Sequence, residues 1–358
     1  YSANMYFQSF GAVAIVKVNA PWFHVRERGV FGAIFGILIS LGIYFAFDWS
    51  TKIITFFGAD EFEDPGSQDR LALAFLCPAI ALVVFWVIVT LFVRNTPGEA
   101  GQKDFDTADA SSGDEGPRLG AVAVFKLMLR NPIIMTIAGV EFCSGFLRQA
   151  IMQWYRTFAK HTDDALGNTD SFVYDNWGLL LCCAGIMGGV VAGVISDHLF
   201  KSRRGPVATI LYVTMLVSGI VLSLVYRTPV VGWLVVFMSL CVIGVHGMLS
   251  GTASMDFGGK RNVGIVVGII DGFVYAGTAV MSLTYWLLLP GEELDAEGHI
   301  TGPTTNPENW LAWPVAMVPV ALIGLLLATR VWNAKPQPKK APAPAAEDEG
   351  SKKDDKAD

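Results

Sequence analysis

LALAFLCPAIALVVFWVIVTLFV, residues 71–93, runs for 23 residues without a charged side chain. As a helix it measures about 35 Å, more than the roughly 30 Å hydrocarbon core of a bilayer. A helix apolar on every side has no polar face to offer water, so the stretch reads as a membrane span. The rest of the chain agrees. Hydrophobic residues make up 53% of its 358 positions and charged residues only 16%, where soluble domains carry about a quarter charged. The expectation is an all-α, polytopic membrane protein.

Nine spans are predicted, at 1–20, 30–48, 71–93, 132–158, 177–196, 206–226, 229–254, 263–289 and 309–332. Their orientation follows from the bias of Lys and Arg toward cytoplasmic loops. If HVRERG (24–29) is inside, the connections on that face and the tail carry 19 basic residues, and the opposite loops carry five, Lys52, Arg70, Arg156, Lys160 and Arg227. The opposite loops are acidic instead, as in ADEFEDPGSQD (59–69) and PGEELDAEG (290–298). This predicts a multi-pass protein of the bacterial inner membrane with a cytoplasmic C-terminus. The net charge of −6 is divided between two faces and implies no nucleic-acid partner.

Two stretches are too polar to span. TPGEAGQKDFDTADASSGDEGPRLG (96–120) reads as a solvated linker, followed by the short amphipathic piece AVAVFKLMLRNP. The low-complexity tail from residue 333 reads as disordered. Domains are therefore expected at 1–95, a three-span bundle; 96–130, a linker; 131–332, a six-span bundle; and 333–358, the tail. Three spans before the linker and six after it fit a transporter of two six-helix halves whose first three helices are missing, twelve in all. The opening YSANMYFQSFGAVAIVK has no charged start and no cleavage site, so it reads as the inside of a helix, not a signal peptide.

No phosphate-cradling glycine loop, His-Glu-x-x-His or Ser/His/Asp set is present, so no enzyme activity is predicted. The five cysteines, Cys77, Cys143, Cys182, Cys183 and Cys241, lie in apolar runs without metal-ligand spacing and read as small buried hydrophobes. No metal or cofactor is expected. The glycine-rich faces GIMGGVVAGV (185–194) and GIVVGIIDGFVYAG (264–277) predict closely packed helices.

The sharpest local pattern is GVISDHLFKSRRGP (193–206): Gly193 and Asp197 end one span, and Lys201, Arg203 and Arg204 follow at short spacing. An acid there can pair with a guanidinium or with a helix N-terminus, which predicts a cytoplasmic latch; plain topogenic charge would explain the basic residues alone. The pattern resembles the cytoplasmic loop signature of the major facilitator superfamily. Trp22-Phe23 with Arg26-Glu27-Arg28-Gly29, the SDHLFKSRRG loop, and MDFGGKRNVGIVVG (255–268) further resemble the organophosphate:inorganic phosphate antiporters of that superfamily. The resemblance implies the major facilitator fold, alternating access, a phosphate ester exchanged for phosphate, and a monomer in the bilayer. It covers the chain to about residue 332. The chain departs from the family pattern at Gly36, Ile39, Gly145 and Gln153.

Arg148, in SGFLRQAIMQWY (144–155), lies near the middle of its span. A guanidinium at that depth is a functional-site candidate by default, and its planar fork suits phosphate or carboxylate oxygens. The resemblance implies that it faces the central cavity as anion ligand, with Lys17 as a supporting charge. The residues themselves also allow an internal pair with Glu141. Asp271 and His246 complete the buried ionisable groups: Glu141 or Asp271 could couple protons, Asp271 could pair with Lys17, and His246 reads as a satisfied core residue. Ser250, Thr252 and Ser254 could line a cavity. The competing functions are proton-coupled symport and a transporter-like sugar-phosphate sensor.

Overall fold

Backbone amides inside a bilayer find no water to bond, so a chain this apolar must satisfy them within its own segments. The computed structural model, which describes residues 2–56, 67–111, 119–295 and 299–335, is helical almost throughout. In order, the helices are α1 (Ser2–Asn19), α2 (Arg28–Tyr44), α3 (Ser50–Phe56), α4 (Ser67–Phe92), α5 (Ala121–Leu129), α6 (Pro132–Met152) and α7 (Trp154–His161). Then come the short α8 (Asp163–Leu166) and α9 (Phe172–Asp175), followed by α10 (Trp177–Val194), α11 (Arg204–Val225), α12 (Val231–His246), α13 (Ser254–Leu288) and α14 (Ala312–Arg330). The one strand pair among the described residues is β1 (Glu293–Leu294) against β2 (Ile300–Thr301), antiparallel. The predicted tail beyond residue 335 and part of the linker lie outside the described residues.

Among the described residues, six helical stretches are long and apolar enough to cross a membrane, or seven if the bent pair α5 and α6–α7 is one span. One of the six, Val231–Leu288, has 58 residues, about 87 Å of helix, nearly three bilayer cores. It holds the two spans predicted at 229–254 and 263–289, divided at Gly259, whose φ of 65° no helix tolerates. The ninth predicted span, at 1–20, is the helix α1 and is too polar to qualify with the others. The span predicted at 132–158 runs as one helix, Pro132–His161, with α6 and α7 meeting at Gln153 in helical geometry. Asn131 caps its start, accepting from the amides of Ile133 and Ile134, and Pro132 fills the first helical position.

The larger core lies in the half after residue 120, around Trp177, Trp310, Trp313, Tyr155, Phe158 and Tyr285. A buried indole or phenol needs a partner for its polar tip, and here the tips reach backbone carbonyls. Trp313 Nε1 donates to Ala150 O at 2.9 Å, Tyr212 Oη to Val140 O at 2.6 Å, and Trp177 Nε1 to Met152 O at 3.4 Å. Three neighbouring helices thus bond to the carbonyls of α6 and fix its rotation. A second, smaller core (Val16, Ala20, Phe31, Phe35, Met255, Val263, Val267) joins α1 and α2 to α13. By contrast, the α4 span has no buried residue. Of the five cysteines, Cys143, Cys182 and Cys241 are buried as expected, Cys77 is half-buried and Cys183 is exposed, because the span carrying it faces outward there.

The face at 185–194 packs closely, whereas in the one at 264–277 only Gly277 does, Gly268 and Gly272 having nothing within 4 Å of a Cβ placed there. A Cβ at Gly277 would lie 1.9 Å from the Phe142 carbonyl oxygen, and one at Gly145 would lie 2.1 Å from that of Val274. This explains the departure at Gly145: no larger side chain fits between α6 and α13. Gly277→Ala is expected to destabilise the protein by about 1–3 kcal/mol, the usual penalty of overpacking. Thermal unfolding of the detergent-solubilised variant checks this.

Candidate anion site and charge cluster

Arg148 projects from the stretch of α6 that the aromatic hydrogen bonds fix. It is half-buried, and among the described residues it makes no ion pair or hydrogen bond. The internal partner considered for it is taken. Glu141 Oε2 lies 2.8 Å from His246 Nδ1, and Glu141 is fully buried, with Oε1 left unbonded. His246 is thus the satisfied core histidine of the expectation, and its partner is a carboxylate.

Asp271, on α13, accepts a hydrogen bond from Ser250 Oγ and lies within electrostatic reach of His246, Glu141 and Arg148. No Lys17–Asp271 pair forms. The hydroxyls of Thr252 and Ser254 donate to the carbonyls of Met248 and Ser250 in the π-helical turn 247–253, and both residues are fully buried. The structure therefore brings together a guanidinium with no ion pair or hydrogen bond, the Asp271 carboxylate within electrostatic reach of it, and a His–carboxylate pair, on α6, α12 and α13.

Lys17 stands elsewhere. It is exposed on α1 and lines a cavity of about 520 Å³ with Pro21, Asn95, Thr96, Asp104, Lys260 and Arg261. Arg148 is not among the cavity walls. Three cations against one carboxylate give this space a positive potential.

The third feature lies at the end of the molecule that carries the 24–29 loop. Arg28 Nη1 is 3.0 Å from Asp256 Oδ1, and its Nη2 is 3.0 Å from Asp109 Oδ2. Arg204 Nε reaches the other oxygen of Asp256 at 3.2 Å, and its Nη1 reaches Asp197 Oδ1 at 2.8 Å. Arg28, Asp109, Asp256 and Arg204 are 0, 0, 1 and 3% exposed, so the pairs are dry. Further guanidinium N–H groups donate to the carbonyls of Phe23, Ala20 and Val25 and to Ser196 Oγ.

Of the expected latch, Asp197 and Arg204 belong to this cluster. Gly193 packs against it, since a Cβ there would lie 2.7 Å from the Gly29 carbonyl oxygen. Arg203 does not belong: it turns away to Phe200 O and Asn333 Oδ1. Lys201 is exposed. The reason is the turn, where Lys201 and Ser202 take φ of 52° and 61°. That reversal brings Ser202 N back to Ser196 O and folds Arg204, not Arg203, over the acid.

The cluster members that sequence reasoning left without a role are Arg28, Asp256 and Asp109. Arg28 and Asp256 stand inside two of the quoted motifs, and their glycine-flanked positions at helix starts were the available signal. Asp109 had none. It belongs to the stretch expected as solvated linker, yet Thr107, Asp109 and Ser111 are buried there. Val25 N donates to Thr107 O, Ala110 N to Asp256 O and Lys260 N to Asp109 Oδ2, so this part of the linker ties the 24–28 loop to the α13 kink.

Burial pushes the Asp109 carboxyl up. Hydrogen bonds from Ser111 and Thr107, together with the Arg28 charge, outweigh it and hold the group below the usual carboxylate range.

Together, the packed spans, the buried aromatic tips and the glycine-rich seam between α2 and α10 define a helical membrane protein. Residues 3–282 match the Major Facilitator Superfamily, and the chain belongs to that family. It is a multi-pass membrane protein. It is 24% identical over 354 residues to the glycerol-3-phosphate transporter of Bacillus subtilis, covering 92% of this chain and 69% of the relative. A probable hexose phosphate transport protein of Chlamydia trachomatis is 22% identical, over 94% of this chain and 71% of its own. The membrane sensor protein UhpC of Salmonella typhimurium is 23% identical, over 80% and 62%.

Two outcomes are expected from the charge cluster. Asp256→Asn leaves two dry guanidiniums short of a partner and destabilises the fold by about 3–5 kcal/mol, measurable by unfolding in detergent. Because the Asp109 carboxyl is held low when folded, its contribution is complete above the ordinary carboxylate range, about pH 4, and is lost as pH falls through the lower folded value. Asp109→Asn should therefore be less stable than the parent at neutral pH and converge with it as the solution is acidified.

Proposed function

We propose that this protein moves a small phosphate-bearing anion across the membrane by alternating access, exchanging a phosphate ester for inorganic phosphate, with Arg148 as the principal ligand. One observation carries the reading: a guanidinium in the middle of a span makes no ion pair or hydrogen bond among the described residues, with Glu141 held by His246 and Asp271 within electrostatic reach only. A cation left without an ion pair inside a membrane span is costly, and an anionic solute can neutralise it. The names of the relatives, glycerol phosphate and hexose phosphate transporters, support the same chemistry.

Lys17, Lys260 and Arg261 form a basic vestibule that gathers anions near the membrane face. The dry cluster of Arg28, Asp109, Asp256, Arg204 and Asp197 closes that face of the cleft. By the distribution of basic residues that face is cytoplasmic, in a bacterial inner membrane.

The test is exchange in proteoliposomes. Vesicles loaded with inorganic phosphate should take up external labelled phosphate whether or not a proton uncoupler is present. Arg148→Gln should lower the rate by about a hundredfold or more, as when one guanidinium partner of a desolvated anion is removed. Unimpaired exchange by that variant would reject the assignment.

A second reading, proton-coupled symport, draws on the buried Glu141 oxygen that lacks a partner and on Asp271 nearby. It requires uptake that needs no internal phosphate and collapses with the uncoupler. Binding without turnover would instead indicate a sensor.

A further inference from the structure

Helices α2 and α10 cross antiparallel along their whole length. Positions rising along α2 meet positions falling along α10: Gly29 faces Gly193, Gly36 faces Gly189, and Ser40 faces Gly185. Each helix ends in a π-helical turn, Phe45–Trp49 after α2 and Ile195–Leu199 after α10, and each turn carries one acid, Asp48 or Asp197. Each acid lies 19 residues beyond the second residue of its own helix, Gly29 or Gly178. The two ends of the crossing are built alike.

At the charge-cluster end, a Cβ on Gly29 would lie 1.8 Å from Asp197 Oδ2, so the carboxylate sits on the first turn of α2. At the far end, a Cβ on Gly178 would lie 1.9 Å from Asp48 Oδ2, so that carboxylate sits on the first turn of α10. No side chain caps the start of either helix. A carboxylate on an uncapped helix start is attracted by the unbonded amides and the positive end of the helix dipole.

Asp48 differs from Asp197 in one respect. Arg204 and Ser202 bond to Asp197, whereas Asp48 Oδ2 is buried and without a hydrogen-bond partner. Lys52, one turn further along, forms no ion pair with Asp48 among the described residues. The start of α10 is thus the main positive feature that Asp48 meets. The segment Arg28–Trp49 has 22 residues, about 33 Å, so the two acids mark opposite ends of one span.

We propose that Asp48, seated on Gly178 at the start of α10, is the gate residue that closes the end of the cleft opposite the Arg28–Asp256–Arg204 cluster. The inference rests on the alternating-access reading. A cycle that opens one end at a time needs a separable contact at each end, and a single carboxylate on a helix start is weaker than the five-residue cluster facing it. At the Asp48 end the seat on Gly178 is shared with Phe47 and holds no ion pair among the described residues. It lets go without leaving an unpaired guanidinium behind.

Cys182 reports on this end. It is buried, one turn from Gly178 on the side of α10 that faces α2, and it lies within electrostatic reach of Asp48. With the other four cysteines replaced by alanine and the protein in nanodiscs, a charged maleimide reaches Cys182 when the Asp48 end opens. Asp48→Asn keeps the shape and removes the charge, and it should speed labelling about fivefold or more, the order set by losing a carboxylate–helix-end interaction. Gly178→Ala, which forces the carboxylate off its seat, should do the same. Asp197→Asn, which loosens the other end, should leave Cys182 labelling unchanged or slower.

Labelling of Asp48→Asn within about twofold of the parent would overturn the proposal, as would equal acceleration by Asp197→Asn. If Gly178→Ala does not assemble, the Asp48→Asn comparison decides alone. The readout needs no substrate. Failed phosphate exchange with accelerated labelling would reject the transport reading and keep the gate, and the converse would reject only the gate.

Discussion

The carboxylate of Asp256 is bonded by two guanidiniums at once, Arg28 from the helices before the linker and Arg204 from those after it. None of the three groups meets water. Dry charges are tolerable only as a complete set, because each one left alone carries a desolvation cost of several kcal/mol. The cluster therefore acts as a unit. It joins the 24–28 loop, the start of α11, the kink at Gly259 and, through Asp109, the linker. Separating the two halves at this end means admitting water to the whole cluster, which suits a contact that is either closed or open.

That constraint sets the rest of the architecture. With the two groups of helices tied at this end, α2 and α10 lie against each other along a seam of glycines, where backbones approach too closely for side chains. The same economy of volume appears between α6 and α13 at Gly145 and Gly277. In a membrane such contacts replace the hydrophobic drive that holds soluble helices together, since lipid is as apolar as the packed side chains. Around α6 the buried Trp and Tyr tips bond to carbonyls, so the helix has one rotational setting, and Arg148 projects from it with no protein acid in contact.

Much of this was legible in the residues themselves. The uncharged run at 71–93, the alternation of basic and acidic loops, and the acid of the 193–206 loop each report a local cost. An apolar residue must avoid water, a cation must stay out of hydrocarbon, and an acid at a helix end must find a positive partner. Such costs depend on type and spacing, so the helical membrane class and the membership of Asp197 and Arg204 in a charged contact could be read directly. Gly145 also carried its message in its type, though not the identity of the carbonyl against it.

What only the tertiary structure decided is who meets whom across long separations. Arg28 and Asp256 are 228 positions apart. Asp109 stood in a stretch whose composition promised only solvation, and it became buried because a loop and a helix kink closed over it. Arg203 and Arg204 are indistinguishable as neighbouring basic residues until two left-handed residues turn one toward the acid and the other away. Glu141 went to His246 rather than Arg148 because α12, not α6 alone, supplies its surroundings. Composition and periodicity fix which residues must be buried, whereas the pairing of buried charges depends on three-dimensional register, to which a single sequence holds no direct key.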